Sequence, residues 1–329
     1  MTYSKGAHNC ITDVDGIQVG HVTLHEKVNK TDSICTGVTA ILPHNGNLFR
    51  DKVPAASHVI NGFGKTCGLI QVDELGLIES PIMLTNTFSV GPVLQGTLTY
   101  MLEKDETIGD STSSLNIVVG ECNDSYLNSM RIQAIEPSHA IKAINSATNA
   151  PAEEGAVGAG KGMVCFGYKG GIGTASRIVG DVESPYTVGM LVLSNFGKRS
   201  EALFADWKDK NEPGETPDGS IMMVMATNAP LTSRQLKRLA KRCAAGLGRL
   251  GSHYSNGSGD IAIAFSTANR HTHSTQPEEH ITFLRDDHSV MNQLFQAVAE
   301  TTEEAVLNAL KNAETTHGRK GRTVYKAPL

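Results

Sequence analysis

Strand-like runs followed by helical periodicity recur in both halves of this 329-residue chain, which predicts a layered α/β fold with mixed sheets between helices. Hydrophobic residues make up 40% and there are 33 glycines, ample for a large buried core. The only break in composition is the acidic, proline-containing stretch from Lys208 to Pro217. Neither half alone has enough helices to cover its strands. One domain spanning residues 1–329 is therefore expected, with that stretch as a loop inside it.

The elements follow from local pattern. Between Ile11 and Thr87, short apolar runs are broken by Gly, Asn, Asp and Pro, and three read as buried strands: Ile17 to Thr23, Gly37 to Pro43 and Pro81 to Thr85. A helix is predicted from Val90 to about Lys104, with Leu94, Leu98 and Met101/Leu102 at helical spacing. Leu115 to Val119 reads as a strand, and Pro137 to Ala150 as a helix with Ser138 near its start. A glycine-dense segment from Glu154 to Arg177 precedes a strand from Thr187 to Leu193. Ile221 to Ala226 is an apolar strand, closed by the turn Asn228-Ala-Pro. Leu231 to Leu250 predicts one helix, with Leu236, Leu239/Ala240, Cys243, Leu247 and Leu250 on one stripe. Asp260 to Thr267 is a further strand. Asp286, Asp287 and Ser289 can cap a long helix to Asn312, with Met291, Leu294/Phe295, Val298 and Ala305 facing inward. The Lys- and Arg-rich tail from Glu314 is expected to be a solvated end.

Composition narrows the function. A net charge of −5 without long runs of either sign argues against nucleic acid and anionic membranes as partners. No apolar run approaches the roughly 20 residues of a membrane span. The N-terminus has no apolar signal core, and the six cysteines lack Cys-x-x-Cys spacing, so a soluble cytoplasmic protein with reduced thiols is expected. Gly155 to Gly162 matches G-x-x-x-x-G-K, but Gly162 stands where a phosphate loop needs Ser or Thr, so its glycines are assigned to close backbone packing. His271, His273 and His280 lie among solvated residues, and His253 sits in a turn. Neither a metal nor another cofactor is expected.

The most informative residues are Asp218-Gly219-Ser220, between the acidic loop and the strand Ile221 to Ala226. A hydroxyl at the first position of a buried strand, with glycine before it, is the layout of a self-cleaving N-terminal nucleophile. Cutting between Gly219 and Ser220 frees an α-amine of pKa roughly 7.7–8.0 beside the hydroxyl, which can take the hydroxyl's proton. Glycine at 219 permits close approach of the serine oxygen to the preceding carbonyl. The alternative is a plain turn leading into a strand. Ser258 and Asp260, two residues apart at a strand entrance, project to one side of the sheet and can support a nucleophile on a neighbouring strand, or can form a Ser or Asx turn. Asn195 closes an apolar run with a neutral amide donor suited to an oxyanion hole. Glu121, Asn123, Asp124 and Tyr126 gather at a strand end, where pockets form.

Taken together, the segments resemble the L-aminopeptidase D-amidase/D-esterase family, which includes the β-peptidyl aminopeptidases. They include Ile11 to Thr23, Asn61-Gly-Phe-Gly-Lys, Gln71 to Gly76, Glu79 to Thr87, Val119 to Asn128, Gly155 to Arg177, Ser194-Asn-Phe-Gly, Asp218-Gly-Ser-Ile and Ser255 to Thr267. The resemblance implies an α-β-β-α sandwich like that of N-terminal nucleophile hydrolases but differently connected. It implies self-cleavage into residues 1–219 and 220–329, and a homo-oligomer of processed αβ heterodimers acting on small peptides or amino acid amides and esters. Carried onto matching positions, Ser220 is the nucleophile, Ser258 and Asp260 its supporting partners, and Asn195 the oxyanion donor. Tyr126 and Glu121 line the pocket, Glu121 on the substrate ammonium. Position 260 is Asp where β-peptidyl members carry Glu, and the choice between α- and β-amino acids stays open. Two alternatives remain: an acyltransferase resembling ornithine acetyltransferase, whose nucleophile is threonine, and an uncleaved, non-enzymatic binding protein.

Overall fold

Two twisted sheets lie face to face between two layers of helix in the computed structural model, which describes residues 3–205, 219–273 and 276–329. The strands are β1 (Gln18–Lys27), β2 (Ser33–Leu42), β3 (Asp51–Gly62), β4 (Leu77–Ile78), β5 (Ile82–Asn86), β6 (Val118–Cys122), β7 (Val164–Cys165), β8 (Tyr168–Lys169), β9 (Gly171–Asp181), β10 (Ser184–Asn195), β11 (Ser220–Thr227), β12 (Gly259–Ser266), β13 (His271–Thr272), β14 (Thr316–His317) and β15 (Thr323–Val324). The helices are α1 (Leu69–Leu75), α2 (Val90–Lys104), α3 (Pro137–Asn145), α4 (Ser233–Ala240), α5 (Cys243–Leu250) and α6 (Val290–Lys311). The smaller sheet has the order β1-β2-β5-β6, and the larger β13-β3-β12-β11-β10-β9 with β4 attached to β3. Within the larger sheet only β11 and β12 run parallel.

Period-two alternation builds the layers. On β11, Ile221, Met223 and Met225 face α4, α5 and α6, whereas Met222, Val224 and Ala226 face the other sheet. On β2, Val38, Ala40 and Leu42 face α2 and α3, and Ile41 points between the sheets. Both faces of β11 are therefore apolar, and each fully buried Met, Val or Ile is worth on the order of 1.5–3 kcal/mol. No described helix is long and apolar enough to cross a membrane.

Several boundaries differ from the sequence expectations. The helix Leu231 to Leu250 is two helices joined by a tightened turn, with Lys241 at ψ −25° and Arg242 at ψ −14°. The apolar stripe continues across the turn. A capping box of Thr232 and Gln235 sets the start of α4 at Ser233. The expected strand Leu115 to Val119 begins three residues later, so Glu121 lies on β6 and not after it. Helix α3 stops at Asn145, before Ala150. Strand β3 carried no clear signal because it contains Pro54. That proline sits just beyond the last β12 pair, Ala55 with Phe265, where the missing N–H costs no ladder bond. Ser289 stands at the cap position of α6 without a side-chain cap bond, and Asp286 instead binds Arg234 and Arg238.

The largest correction concerns the C-terminal tail. Strands β14 and β15 pair into a hairpin, Val324 and Ala327 are buried, and the tail docks on the body. Arg319 N donates to Leu127 O at 2.8 Å, Arg322 Nη1 to Tyr126 O at 2.9 Å, and Lys169 N to Tyr325 O at 2.8 Å. Its basic side chains advertised solvation, but the Arg322 guanidinium docks on Tyr126 alongside the backbone and sparse apolar residues. The stretch Lys208 to Pro217, expected to be a processing loop, lies with Asp218 outside the described residues.

Candidate active site

Register alone brings three distant segments side by side. Asn195, the last residue of β10, pairs with Ser220, the first of β11, and Ser220 pairs with Gly259, the first of β12. Ser220 is 5% exposed, and its Oγ accepts the Gly259 N–H at 3.1 Å. No described residue accepts the Ser220 hydroxyl proton. Gly219 is packed so tightly that an added Cβ would lie 1.8 Å from Asn195 O and 2.6 Å from Phe196 Cα. Only glycine fits there, because the Asn195–Phe196 backbone packs against it. This is a different close approach from the one the sequence suggested, that of the serine oxygen to the preceding carbonyl.

Ser258 and Asp260 do share a side. Ser258 Oγ donates to Asp260 Oδ1 at 2.7 Å, while Asp260 Oδ2 is buried with no partner among the described residues. Burial pushes the Asp260 carboxyl up to about 6, opposed by the Ser258 hydrogen bond. A register shift between Asp260 and Ile261 turns the strand at this point. The loop before it is held by Asn61, whose Nδ2 donates to the carbonyls of Ser258 and, at 3.0 Å, Ser255.

Asn195 is fixed at both ends of its amide. Its Oδ1 accepts Val164 N at 2.8 Å, and its Nδ2 donates to Asn123 O at 3.0 Å. One Nδ2–H is thus left for another acceptor. It borders a cleft of ≈ 20 Å³ lined also by Asn123, Tyr126, Phe196, Gly197 and Gly219, about the room one water needs. Tyr126 is buried beside Cys35, Leu127, Val164 and Val324, with the Arg322 guanidinium 4.4 Å from its ring centroid.

Glu121 stands on the facing sheet. Its neighbour Gly120 lies under Met222, two residues from Ser220. A Cβ on Gly64 would lie 3.3 Å from Ile261 Cδ1 and 3.7 Å from Glu121 Oε1, so the loop after β3 bridges the start of β12 to this carboxylate. Glu121 is buried, with Oε1 accepting Lys65 N at 2.8 Å and Oε2 accepting the Thr87 hydroxyl. Both donors are neutral, and Glu121 forms no ion pair among the described residues.

Sequence inspection missed the groups that act through the backbone, namely the N–H groups of Gly259, Val164 and Lys65. The glycine between Ser258 and Asp260 at a strand entrance was the available signal for the first. The other candidates lie elsewhere. His253 is 3.8 Å from Glu201, His271 binds Glu279 at 2.7 Å, and His273 stacks edge-on against Phe49. The glycines after Glu154 pack backbone on backbone, Gly37 meeting Gly158 O, as the sequence suggested.

Residues 9–324 match the model of peptidase family S58. The chain is 39% identical to a β-peptidyl aminopeptidase, BapA, of Sphingosinicella microcystinivorans, over 98% of this chain and 86% of that protein. The PH0078 protein of Pyrococcus horikoshii OT3 superposes with a TM-score of 0.93 at 49% identity, covering 100% of this chain and 93% of that one. The L-aminopeptidase D-Ala-esterase/amidase of Ochrobactrum anthropi, described as a prototype serine aminopeptidase with a variant of the N-terminal nucleophile hydrolase fold, gives 0.92 at 34% identity, covering 99% and 93%.

Proposed function

The chain belongs to peptidase family S58 and is an aminopeptidase of the N-terminal nucleophile type, and on that premise we propose that Ser220 is its nucleophile, exposed by self-cleavage after Gly219. The observation that carries this is the placement of the Ser220 hydroxyl between Gly259 N–H and the Asn195 strand, behind a glycine that no other residue can replace. Ser220 Oγ attacks the Gly219 carbonyl, the acyl group passes from nitrogen to oxygen, and water cleaves the ester. The product has chains of residues 1–219 and 220–329 and a free α-amine on Ser220.

In turnover that amine takes the hydroxyl proton as Oγ attacks the carbonyl of the substrate's first residue and returns it to the leaving amine, forming a Ser220 acyl-enzyme. Water, deprotonated by the same amine, then cleaves the ester and frees the acid. Asn195 stabilises the oxyanion, Ser258 and Asp260 support the proton relay, and Tyr126 walls the pocket. Glu121, which forms no ion pair among the described residues, receives the substrate ammonium. Substrates are small peptides and amino acid amides or esters. The similarity to β-peptidyl aminopeptidases favours trying β-aminoacyl amides alongside α-aminoacyl ones. The acetyltransferase and non-enzymatic alternatives are not favoured by these comparisons. A homo-oligomer of processed heterodimers and a cytoplasmic location complete the proposal.

Intact mass of the wild type beside Ser220→Ala tests it. Two fragments in the wild type and one full-length chain in the variant are expected. A single uncut chain in both would remove the free amine from the mechanism.

A further inference from the structure

Lys169, on β8, is fully buried and forms no ion pair among the described residues. Its Nζ donates to three carbonyls, Met163 O at 2.7 Å, Gly170 O at 2.8 Å and Gly160 O at 2.9 Å. Three acceptors match the three N–H bonds of an ammonium, although burial pushes its pKa down to about 7. A buried ammonium with no ion-paired carboxylate, the charge of Asp124 reaching it only as a smaller, longer-range attraction, is costly, which asks what this one maintains.

It closes the β7–β8 hairpin from below. The turn of that hairpin holds Phe166 at φ 49° and Gly167 at φ 70°. A buried phenylalanine in the left-handed region is strained and persists where its surroundings over-determine it. Phe166 packs on Phe196 at 5.0 Å between ring centroids, and its N–H donates to Phe196 O at 2.8 Å. The strained turn is thus bolted to the residue after Asn195. Met163, whose carbonyl Lys169 holds, precedes Val164, whose N–H grips Asn195 Oδ1. Turned by half a rotation, the Asn195 amide would present an oxygen to the cleft.

We propose that Lys169 is a positioning residue for Asn195: through Met163 and the hairpin it fixes the Val164 N–H, which keeps the amide donor of Asn195 facing the reacting carbonyl. This rests on Asn195 being the oxyanion donor.

A double-mutant cycle separates the two claims, with kcat counted per cleaved chain by intact mass. Asn195→Ala is expected to lower kcat about 10²- to 10³-fold. Lys169→Met should lower kcat about 10- to 100-fold, the scale of losing a supporting contact, with KM within about twofold. The double variant should be no slower than Asn195→Ala alone. Losses that multiply, or a lowered Tm with kcat intact, overturn the Lys169 proposal and leave Asn195 standing. Full kcat in Asn195→Ala overturns the Asn195 assignment, and the Lys169 proposal with it. If Lys169→Met does not fold, Lys169→Gln, with two N–H donors, carries the same cycle. Failure of both to fold makes Lys169 a residue of the fold alone and sinks the proposal.

Discussion

Strands β11 and β12 run side by side, bounded by hydroxyl residues at both ends, and the two ends treat those hydroxyls differently. At the far end, Thr227 pairs with Ser266. Thr227 Oγ1 donates to Thr187 O at 2.7 Å and accepts Ala229 N at 3.1 Å. Ser266 Oγ donates to Ala229 O at 2.6 Å and accepts Ala268 N at 3.2 Å. Each hydroxyl there gives its proton to a carbonyl and takes an N–H. At the near end, Ser220 accepts an N–H without giving its proton to a described residue, and Asp260 keeps one buried oxygen unpaired. Saturated hydroxyls hold a turn together, whereas an unsatisfied proton and an unsatisfied acceptor are capacity held for a reaction.

The contrast breaks most visibly at Gly219. Gly219→Ala must displace the Asn195 backbone, so self-cleavage, followed by intact mass over time, is expected to slow about 10²-fold or more, the cost of a misplacement near 1 Å. Cleavage at the wild-type rate would mean that the tight packing plays no part in the cut. At the next level, Asp260→Asn should lower kcat/KM by about 10- to 100-fold at neutral pH. The wild-type profile should rise as Asp260 ionises near pH 6, because burial raises this carboxyl above its ordinary value. The variant should lack that limb, and an unchanged acid limb would assign it to another group.

The same carboxyl makes a stability claim. A raised carboxyl favours the folded state while protonated, so its contribution is complete below about pH 4 and is lost as pH rises through about 6. In the uncut Ser220→Ala background, urea denaturation at pH 4 and pH 7 should show Asp260→Asn gaining on its parent as pH rises. A constant difference would contradict this. The smallest effect belongs to the far end. Ser266→Ala leaves the Ala229 carbonyl unpartnered and should cost about 1–3 kcal/mol in denaturant melts of the uncut Ser220→Ala background, with kcat unchanged in the processed enzyme. A large drop in kcat per folded protein would erase the distinction between the two ends.

Much of this was legible in the sequence, for a physical reason. Periodic apolar runs such as Ile221 to Ala226 report burial directly, and that strand stood as expected; the glycine at 219 signalled a close approach, though not that its partner would be the Asn195–Phe196 backbone. The pairing of Asn195 with Ser220 and of Ser220 with Gly259 could not be read, because register is a long-range property of strands. Basic side chains around Arg319 and Arg322 concealed the docking of the tail, which is carried by backbone groups, by Val324 and by the Arg322 guanidinium itself on Tyr126. Lys169 looked like one more residue in a glycine-dense stretch.

The strand order of the larger sheet has one more consequence. A cut after Gly219 assigns β11 and β12 to the shorter piece, yet β3 flanks them on one side and β10 on the other, both from the longer piece. Each piece completes the other's hydrogen-bond ladder, as interlaced fingers do. The order of events is then one-way. On the proposed cut, the chain threads this sheet as a continuous strand before it is severed, and once the pieces are pulled apart, neither retains the connection that guided it into place. A processed molecule forced open therefore has no covalent route home, and its lifetime is set by how slowly the sheet first parts rather than by how readily it reforms.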